Sequence, residues 1–138
     1  MNYKRVIAAL FVVSALAVAA LFVGCKSSSP QETVQTITNV EVSQLDKLLE
    51  ANPNMQIVDV RTKAEYDAGF ISGAILIDVT QNYFLERALK VLDPKKPVLV
   101  YCRSGGRSLR AAKMLSAKNF TIYNLNGGYT AYVAYKKG

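Results

Sequence analysis

The sequence predicts an α/β fold, with a central parallel β-sheet of about five strands and helices on both of its faces. Short apolar runs rich in Val, Ile and Leu recur after residue 35, and such runs are typical of strands buried on both sides. Segments with helical spacing of apolar residues lie between them. Alternation of strands and helices at this spacing favours parallel pairing, and a length of roughly 100 residues suits a single domain.

The elements follow one another at short intervals along this domain. Strands are predicted at residues 36–40, 56–60, 75–79, 98–101 and 121–125. Helices are predicted from Ser43, a candidate N-cap, and at residues 82–92, 107–118 and 129–137. No internal repeat is evident.

Residues 1–24 have the composition of an export signal. Lys4 and Arg5 precede an almost uninterrupted apolar run over residues 6–23. The end of this segment, LFVGC, resembles a bacterial lipoprotein signal, which implies cleavage before Cys25 and lipidation of that residue. An uncleaved anchor is the alternative, because the run is nearly long enough to span a bilayer. Both interpretations place the domain outside the cytoplasm, on the periplasmic or outer face of a bacterial membrane.

The sequence thus divides into residues 1–24 as a signal peptide, 25–35 as a polar tether, and 36–138 as the domain. Cys25 and Cys102 are the two cysteines of the chain. If Cys25 is lipidated, Cys102 has no partner for an internal disulfide. A lone thiol in an oxidising compartment is a liability, so its presence suggests that it is used.

The basic residues do not indicate a nucleic-acid partner. The formal net charge is +7, but the sequence lacks a long basic stripe with interleaved aromatic residues. We expect a monomer without metal or organic cofactor, attached to the membrane through its lipid.

The stretch around Cys102 carries the clearest chemical signal. The cysteine directly follows the predicted strand at residues 98–101, and a helix begins within a few residues. Gly105 and Gly106 allow the intervening loop to curl so that its N–H groups point inward, and the helix adds its N-terminal dipole. Arg103 and Arg107 add positive charge. Such a cradle favours a thiolate, the nucleophilic form of cysteine.

The sequence from Cys102 to Ser108, CRSGGRS, resembles the active-site loop of the rhodanese (sulfurtransferase) family. The resemblance implies that Cys102 takes up a sulfane sulfur as a persulfide and passes it on. Related phosphatases and arsenate reductases have five residues between the cysteine and the arginine. This chain has four, residues 103–106, before Arg107, and in this it resembles the sulfur-transferring branch.

A second stretch resembles another signature of the family. Asp59, Arg61 and Glu65 match its Asp-x-Arg and Glu-Tyr positions, and the segment GFISGA follows with Phe70 where histidine is usual. The chain contains no histidine at all, so a histidine general base is excluded. We expect Asp59, Arg61 and Glu65 to act mainly by pairing with each other and with loop amides, direct contact with substrate being the alternative.

The family's closing Gly-Gly turn matches Gly127 and Gly128, with Tyr132 where a tryptophan commonly stands. These glycines are expected to let the backbone pass close to the active-site loop. The resemblance extends over residues 40–136.

The resemblance implies a sulfurtransferase, and the export signal places it in the cell envelope. Its donor would be thiosulfate, a polysulfide or a protein persulfide, and its acceptor a thiol or cyanide. The residues expected to bind the anionic donor are those of the loop: Arg103, Ser104, Gly105, Gly106, Arg107 and Ser108. Ser104 and Glu65 replace basic residues of thiosulfate-using relatives, which weakens the case for a small dianion. A non-catalytic binding or sulfur-carrier module remains the alternative.

Overall fold

The computed structural model describes residues 36–138, which form five strands and five α-helices. The strands are β1 (Thr38–Val40), β2 (Gln56–Asp59), β3 (Ile75–Leu76), β4 (Val98–Tyr101) and β5 (Ile122–Leu125). The helices are α1 (Leu45–Ala51), α2 (Lys63–Asp67), α3 (Phe84–Val91), α4 (Gly106–Ser116) and α5 (Gly128–Lys137). Among these described residues, no helix is long and apolar enough to cross a membrane. The predicted signal peptide, Cys25 and the tether lie outside them.

All strands pair in parallel, in the order β1-β5-β4-β2-β3. The predicted fold class is confirmed. β4 lies at the centre, between β2 and β5, and all four of its residues are buried. Because ligands of open parallel sheets bind at the carboxyl ends of the strands, the residue after β4 occupies the most favourable position for chemistry.

The two faces of the sheet carry separate apolar cores. Val98, Val100 and the side chain of Cys102 belong to the core that α3 and α4 cover. Leu99 and Tyr101 alternate to the opposite core, which α1, α2 and α5 cover. Cys102 therefore points to the face on which α4 packs.

Several element boundaries differ from the sequence prediction. β3 ends at Leu76 rather than residue 79, because Asp78 folds the chain into a turn by accepting from the N–H of Thr80 at 2.9 Å. For the same reason α3 begins at residue 84, after that turn. Ser43 is not an N-cap. It lies within a 3-10 turn, and the N–H of Glu41 donates to the side chain of Gln44 instead.

Helix α2 was not predicted, since its five residues are too few for a helical pattern in the sequence. Thr62 caps it. The side chain of Thr62 accepts from the N–H of Glu65, and the Glu65 carboxylate accepts from the N–H of Thr62 at 3.1 Å. This reciprocal cap fixes the position of Glu65 near the carboxyl end of β2.

Candidate active site

Cys102 lies at the centre of the candidate site, at the carboxyl end of β4. Its side chain is 1% exposed, and within residues 36–138 it is a free thiol. The Sγ atom accepts a hydrogen bond from the N–H of Gly105 at 3.1 Å. The loop therefore turns back over the sulfur, as the glycine content of the sequence predicted.

The loop owes its curl to one backbone conformation. Gly105 has a φ of 109°, in the left-handed region, and directly precedes the first turn of α4. Helix α4 thus begins one residue earlier than the predicted Arg107, so the N–H groups of its first turn lie beside the sulfur. This is the arrangement in which a helix N-terminus stabilises an anion.

The environment of Cys102 lowers the pKa of its thiol. Burial is the largest single influence and opposes ionisation. Hydrogen bonds from the N–H and the hydroxyl of Ser108 favour the thiolate, as do those from the N–H groups of Gly105 and Ser104. Together the donors outweigh burial, so the pKa falls below the ordinary value of 9.0. The buried sulfur is therefore prepared to act as a nucleophile.

The start of α5 holds the loop from the other side. The N–H of Tyr129 donates to the carbonyl of Cys102 at 2.8 Å, and the N–H of Thr130 donates to the carbonyl of Arg103 at 3.0 Å. Gly128 makes this approach possible, because a Cβ there would collide with the Cys102 carbonyl oxygen and lie 2.8 Å from the Arg103 carbonyl. The expectation that the Gly-Gly turn brings the backbone close to the loop is confirmed for Gly128.

Arg107 and Glu65 form a bidentate ion pair at the rim of the loop. The guanidinium nitrogens lie 2.6 and 2.8 Å from the two carboxylate oxygens. The hydrogen bond from Arg107 lowers the pKa of Glu65 to about 2, and Glu65 in turn raises the pKa of Arg107. Arg107 therefore braces the loop by binding Glu65.

Arg103 differs from Arg107 in being exposed, and within residues 36–138 it forms no ion pair. Ser104 is likewise exposed, and the space next to Gly106 is open.

We expect the Glu65–Arg107 pair to make the free energy of unfolding depend on pH in the acid range. The pKa of Glu65 falls from 4.5 to about 2 on folding, so its contribution is complete above about pH 4.5 and is lost as the pH falls toward 2. Urea unfolding of the native protein and Glu65→Gln between pH 2 and 6 measures this contribution. The stability difference should shrink with falling pH, and a constant difference would contradict the assignment.

Asp59 and Arg61 form a second pair beneath the site, and both side chains are buried. Arg61 contacts the two carboxylate oxygens through Nε and one terminal nitrogen, the shortest distance being 2.6 Å. That nitrogen also donates to the carbonyl of Gly69 at 2.7 Å, and the guanidinium lies 4.2 Å from the centroid of the Tyr129 ring. These contacts link β2, the loop before β3 and α5, and they occupy both side chains with protein partners.

One group next to the loop was missed by the sequence analysis. The hydroxyl of Ser108 lies 2.7 Å from Oδ1 of Asn124, whose amide nitrogen donates to Oδ1 of Asn39 at 2.9 Å. A sequence signal was present, since Asn124 is a polar residue inside the otherwise apolar strand at residues 122–125. Its position beside Ser108 follows only from the packing of α4 on β5.

Comparison with known proteins gives the same answer as the geometry. The model of the rhodanese-like domain matches residues 41–135. Thiosulfate sulfurtransferase 18 of Arabidopsis thaliana is 32% identical over 120 residues, covering 78% of this chain and 87% of the relative. Thiosulfate sulfurtransferase GlpE of Shewanella oneidensis is 31% identical over 100 residues, covering 72% and 95%.

Solved structures agree. A rhodanese-like domain protein from Staphylococcus aureus is 31% identical with a TM-score of 0.62, covering 70% of this chain and 91% of that one. The rhodanese-like domain of an Anabaena protein gives a TM-score of 0.64 at 26% identity, covering 72% and 76%. Sequence, fold and loop geometry lead to one conclusion: this chain belongs to the rhodanese-like family.

Proposed function

We propose that this protein is a sulfurtransferase that carries a sulfane sulfur on Cys102. The observation that carries the proposal is the buried Cys102 sulfur, which the loop N–H groups and the Ser108 hydroxyl surround with donors. The names of the relatives support sulfur transfer as the class of reaction. A purely structural cysteine would not require a backbone cradle that favours its anion.

The reaction proceeds in two displacements at sulfur. The Cys102 thiolate attacks the outer sulfur of the donor, forming a Cys102 persulfide anion and releasing the remainder, which is sulfite when the donor is thiosulfate. An acceptor thiolate then attacks the outer sulfur of the persulfide, takes it as a new persulfide and restores the Cys102 thiolate. Each step breaks one S–S bond and forms another, so no oxidant is needed. With cyanide as acceptor the product is thiocyanate.

The charges at the rim favour a donor of low charge. Glu65 compensates Arg107, so Arg103 is the cation left to meet the donor, and Ser104 adds none. Thiosulfate concentrates two negative charges in one small ion, whereas a persulfide carries one charge and a polysulfide spreads two along its sulfur chain. We therefore propose that a persulfide or polysulfide loads Cys102 more readily than thiosulfate, which serves as an assay substrate.

We expect the peptide containing Cys102 to gain one sulfur, ~32 Da, when the purified protein is treated with a donor. The measurement is peptide mass after treatment with polysulfide or thiosulfate at equal concentration, and polysulfide should give the higher occupancy. Cyanide should remove the added mass, and Cys102→Ser should never acquire it. A thiol that alkylates readily yet gains sulfur from neither donor would contradict the proposal. Loading by polysulfide without release to any thiol would instead indicate a sulfur carrier.

We further propose that the domain works in the cell envelope, attached through a lipid on Cys25. The basis is the sequence of residues 1–25. Metabolic labelling with a fatty acid, followed by membrane fractionation, checks this. Cys25→Ser should lose the label, and its fractionation will show whether the uncleaved segment anchors the chain instead. Labelling that survives Cys25→Ser would contradict lipidation at this residue.

A further inference from the structure

A chain of polar side chains beside the active-site loop runs from the buried Ser108 and Asn124 to the exposed Asn39. Asn124 is 3% exposed and lies in the interior of β5, a position where an amide is costly unless its groups are satisfied. Its side chain points to the same face of the sheet as Ile122, against α4. There Oδ1 accepts from the Ser108 hydroxyl and Nδ2 donates to Asn39.

The orientation of the Asn124 amide is fixed by its neighbour. Asn39 is the register partner of Asn124 on the adjacent strand β1, so the two side chains stand next to each other. Oδ1 of Asn39 accepts from Nδ2 of Asn124 at 2.9 Å. The carbonyl end of the Asn124 amide therefore faces Ser108 and can only accept.

Ser108 has a single hydroxyl proton and three acceptors around it. Oδ1 of Asn124 lies at 2.7 Å and the carbonyl of Gly105 at 2.9 Å, while the Cys102 sulfur is the third. The Gly105 carbonyl already accepts from the N–H of Leu109. Asn124 is thus the principal competitor of Cys102 for this proton.

We propose that Asn124 is a positioning residue that receives the Ser108 hydroxyl proton whenever the Cys102 sulfur is uncharged and releases it when that sulfur is a thiolate. A thiolate is the stronger acceptor because its hydrogen bond is charge-assisted. In the thiol the Sγ atom is neutral, and the hydroxyl turns to Asn124. The same holds for the inner sulfur of the persulfide, a point that rests on the proposed function. Asn124 thereby stabilises the uncharged forms of Sγ and sets their balance against the thiolate.

Removing Asn124 should shift this balance toward the thiolate. Asn124→Val is similar in size and suits a strand. In this variant the Ser108 hydroxyl loses its nearest acceptor whenever the sulfur is uncharged. We expect the apparent pKa of Cys102 to fall by about half a pH unit, a roughly threefold gain in thiolate fraction at lower pH. The measurement is the pH dependence of iodoacetamide alkylation at Cys102 in the full chain, followed by the mass of the peptide.

The Ser108→Ala background separates this role from a general disturbance of the strand. There Asn124→Val should leave the apparent pKa unchanged, because the proton that Asn124 receives is gone. Tyr123→Phe removes a polar atom from the opposite face of β5 and should have no effect in either background. Asn39→Ala, at an exposed position that does not endanger folding, frees the Asn124 amide to turn and should lower the pKa by a smaller amount.

The proposal is overturned if Asn124→Val shifts the pKa of Cys102 equally in the Ser108→Ala background. It is also overturned if Asn124→Val and Asn39→Ala, where they fold, leave that pKa unchanged. Persulfide occupancy at a fixed donor concentration is the second readout, and Asn124→Val should lower it about threefold. If native Cys102 forms no persulfide, the proposed function fails while the alkylation profile still tests Asn124. If Asn124→Val shifts the alkylation profile as expected but leaves the persulfide occupancy unchanged, only the part of the proposal that concerns the persulfide is overturned.

Discussion

Replacing Asp59 with Ala should lower the free energy of unfolding by about 3 to 5 kcal/mol. Arg61 is 3% exposed, and Asp59 is its ionic partner as well as an acceptor for its backbone N–H at 3.0 Å. Without the carboxylate, a guanidinium stays buried with its charge uncompensated. Urea unfolding at neutral pH measures the loss.

Two comparisons test the cause of this effect. Lys63 and Asp67 form an exposed i,i+4 pair on α2, and Asp67→Ala should cost less than about 1 kcal/mol. The double variant Asp59→Ala with Arg61→Leu removes the stranded charge and should recover part of the stability lost by Asp59→Ala. A loss in Asp59→Ala no larger than in Asp67→Ala would contradict the burial of the charge as its cause.

Gly128→Ala should damage both stability and sulfur transfer. The residue has a φ of 56°, which costs a non-glycine residue about 1 to 2 kcal/mol. The added methyl group would also collide with the Cys102 carbonyl oxygen, so the start of α5 and the active-site loop must separate. Displacement of the sulfur by a fraction of an ångström to about 1 Å should lower the rate of persulfide formation by ~10- to 100-fold. Unfolding in urea and single-turnover loading measure the two effects.

Gly73→Ala is the matched control for this variant. Gly73 also has a positive φ, 79°, but a Cβ there would meet no atom within 4 Å. It should therefore show the backbone cost alone and leave the loading rate unchanged. If Gly128→Ala resembles Gly73→Ala in both measurements, the close approach of α5 to the loop is not what holds Cys102 in place.

The strands at the centre of the sheet were predictable from sequence because they are buried on both faces. Residues 98–101 are uniformly apolar and flanked by turn residues, and β4 begins and ends where this pattern does. The edge was less predictable. Residues 75–79 have the same composition, yet β3 has one neighbour, and only its first two residues are strand before the turn at Asp78.

The loop around Cys102 was also predictable from sequence, because its chemistry is contained in seven consecutive residues. Its partners come from elsewhere in the chain. Glu65 reaches Arg107 across 42 positions, and Asn124 reaches Ser108 only because α4 packs on β5. Composition and periodicity hold no information about such pairs, and helix α2, which carries Glu65, is too short to have a periodicity. The local part of the site was therefore foreseen, whereas the Glu65–Arg107 and Ser108–Asn124 pairs were not.

The hydrogen bonds from Tyr129 and Thr130 to the Cys102 and Arg103 carbonyls have a consequence for biosynthesis. Residues 129 and 130 emerge from the ribosome after Cys102, so the loop cannot take its final shape while the nascent chain ends before them. Until then the cysteine is an ordinary thiol with most of its population protonated. The fold thereby delays the appearance of a reactive sulfur until the polypeptide around it is complete, which limits its exposure to stray oxidants and electrophiles.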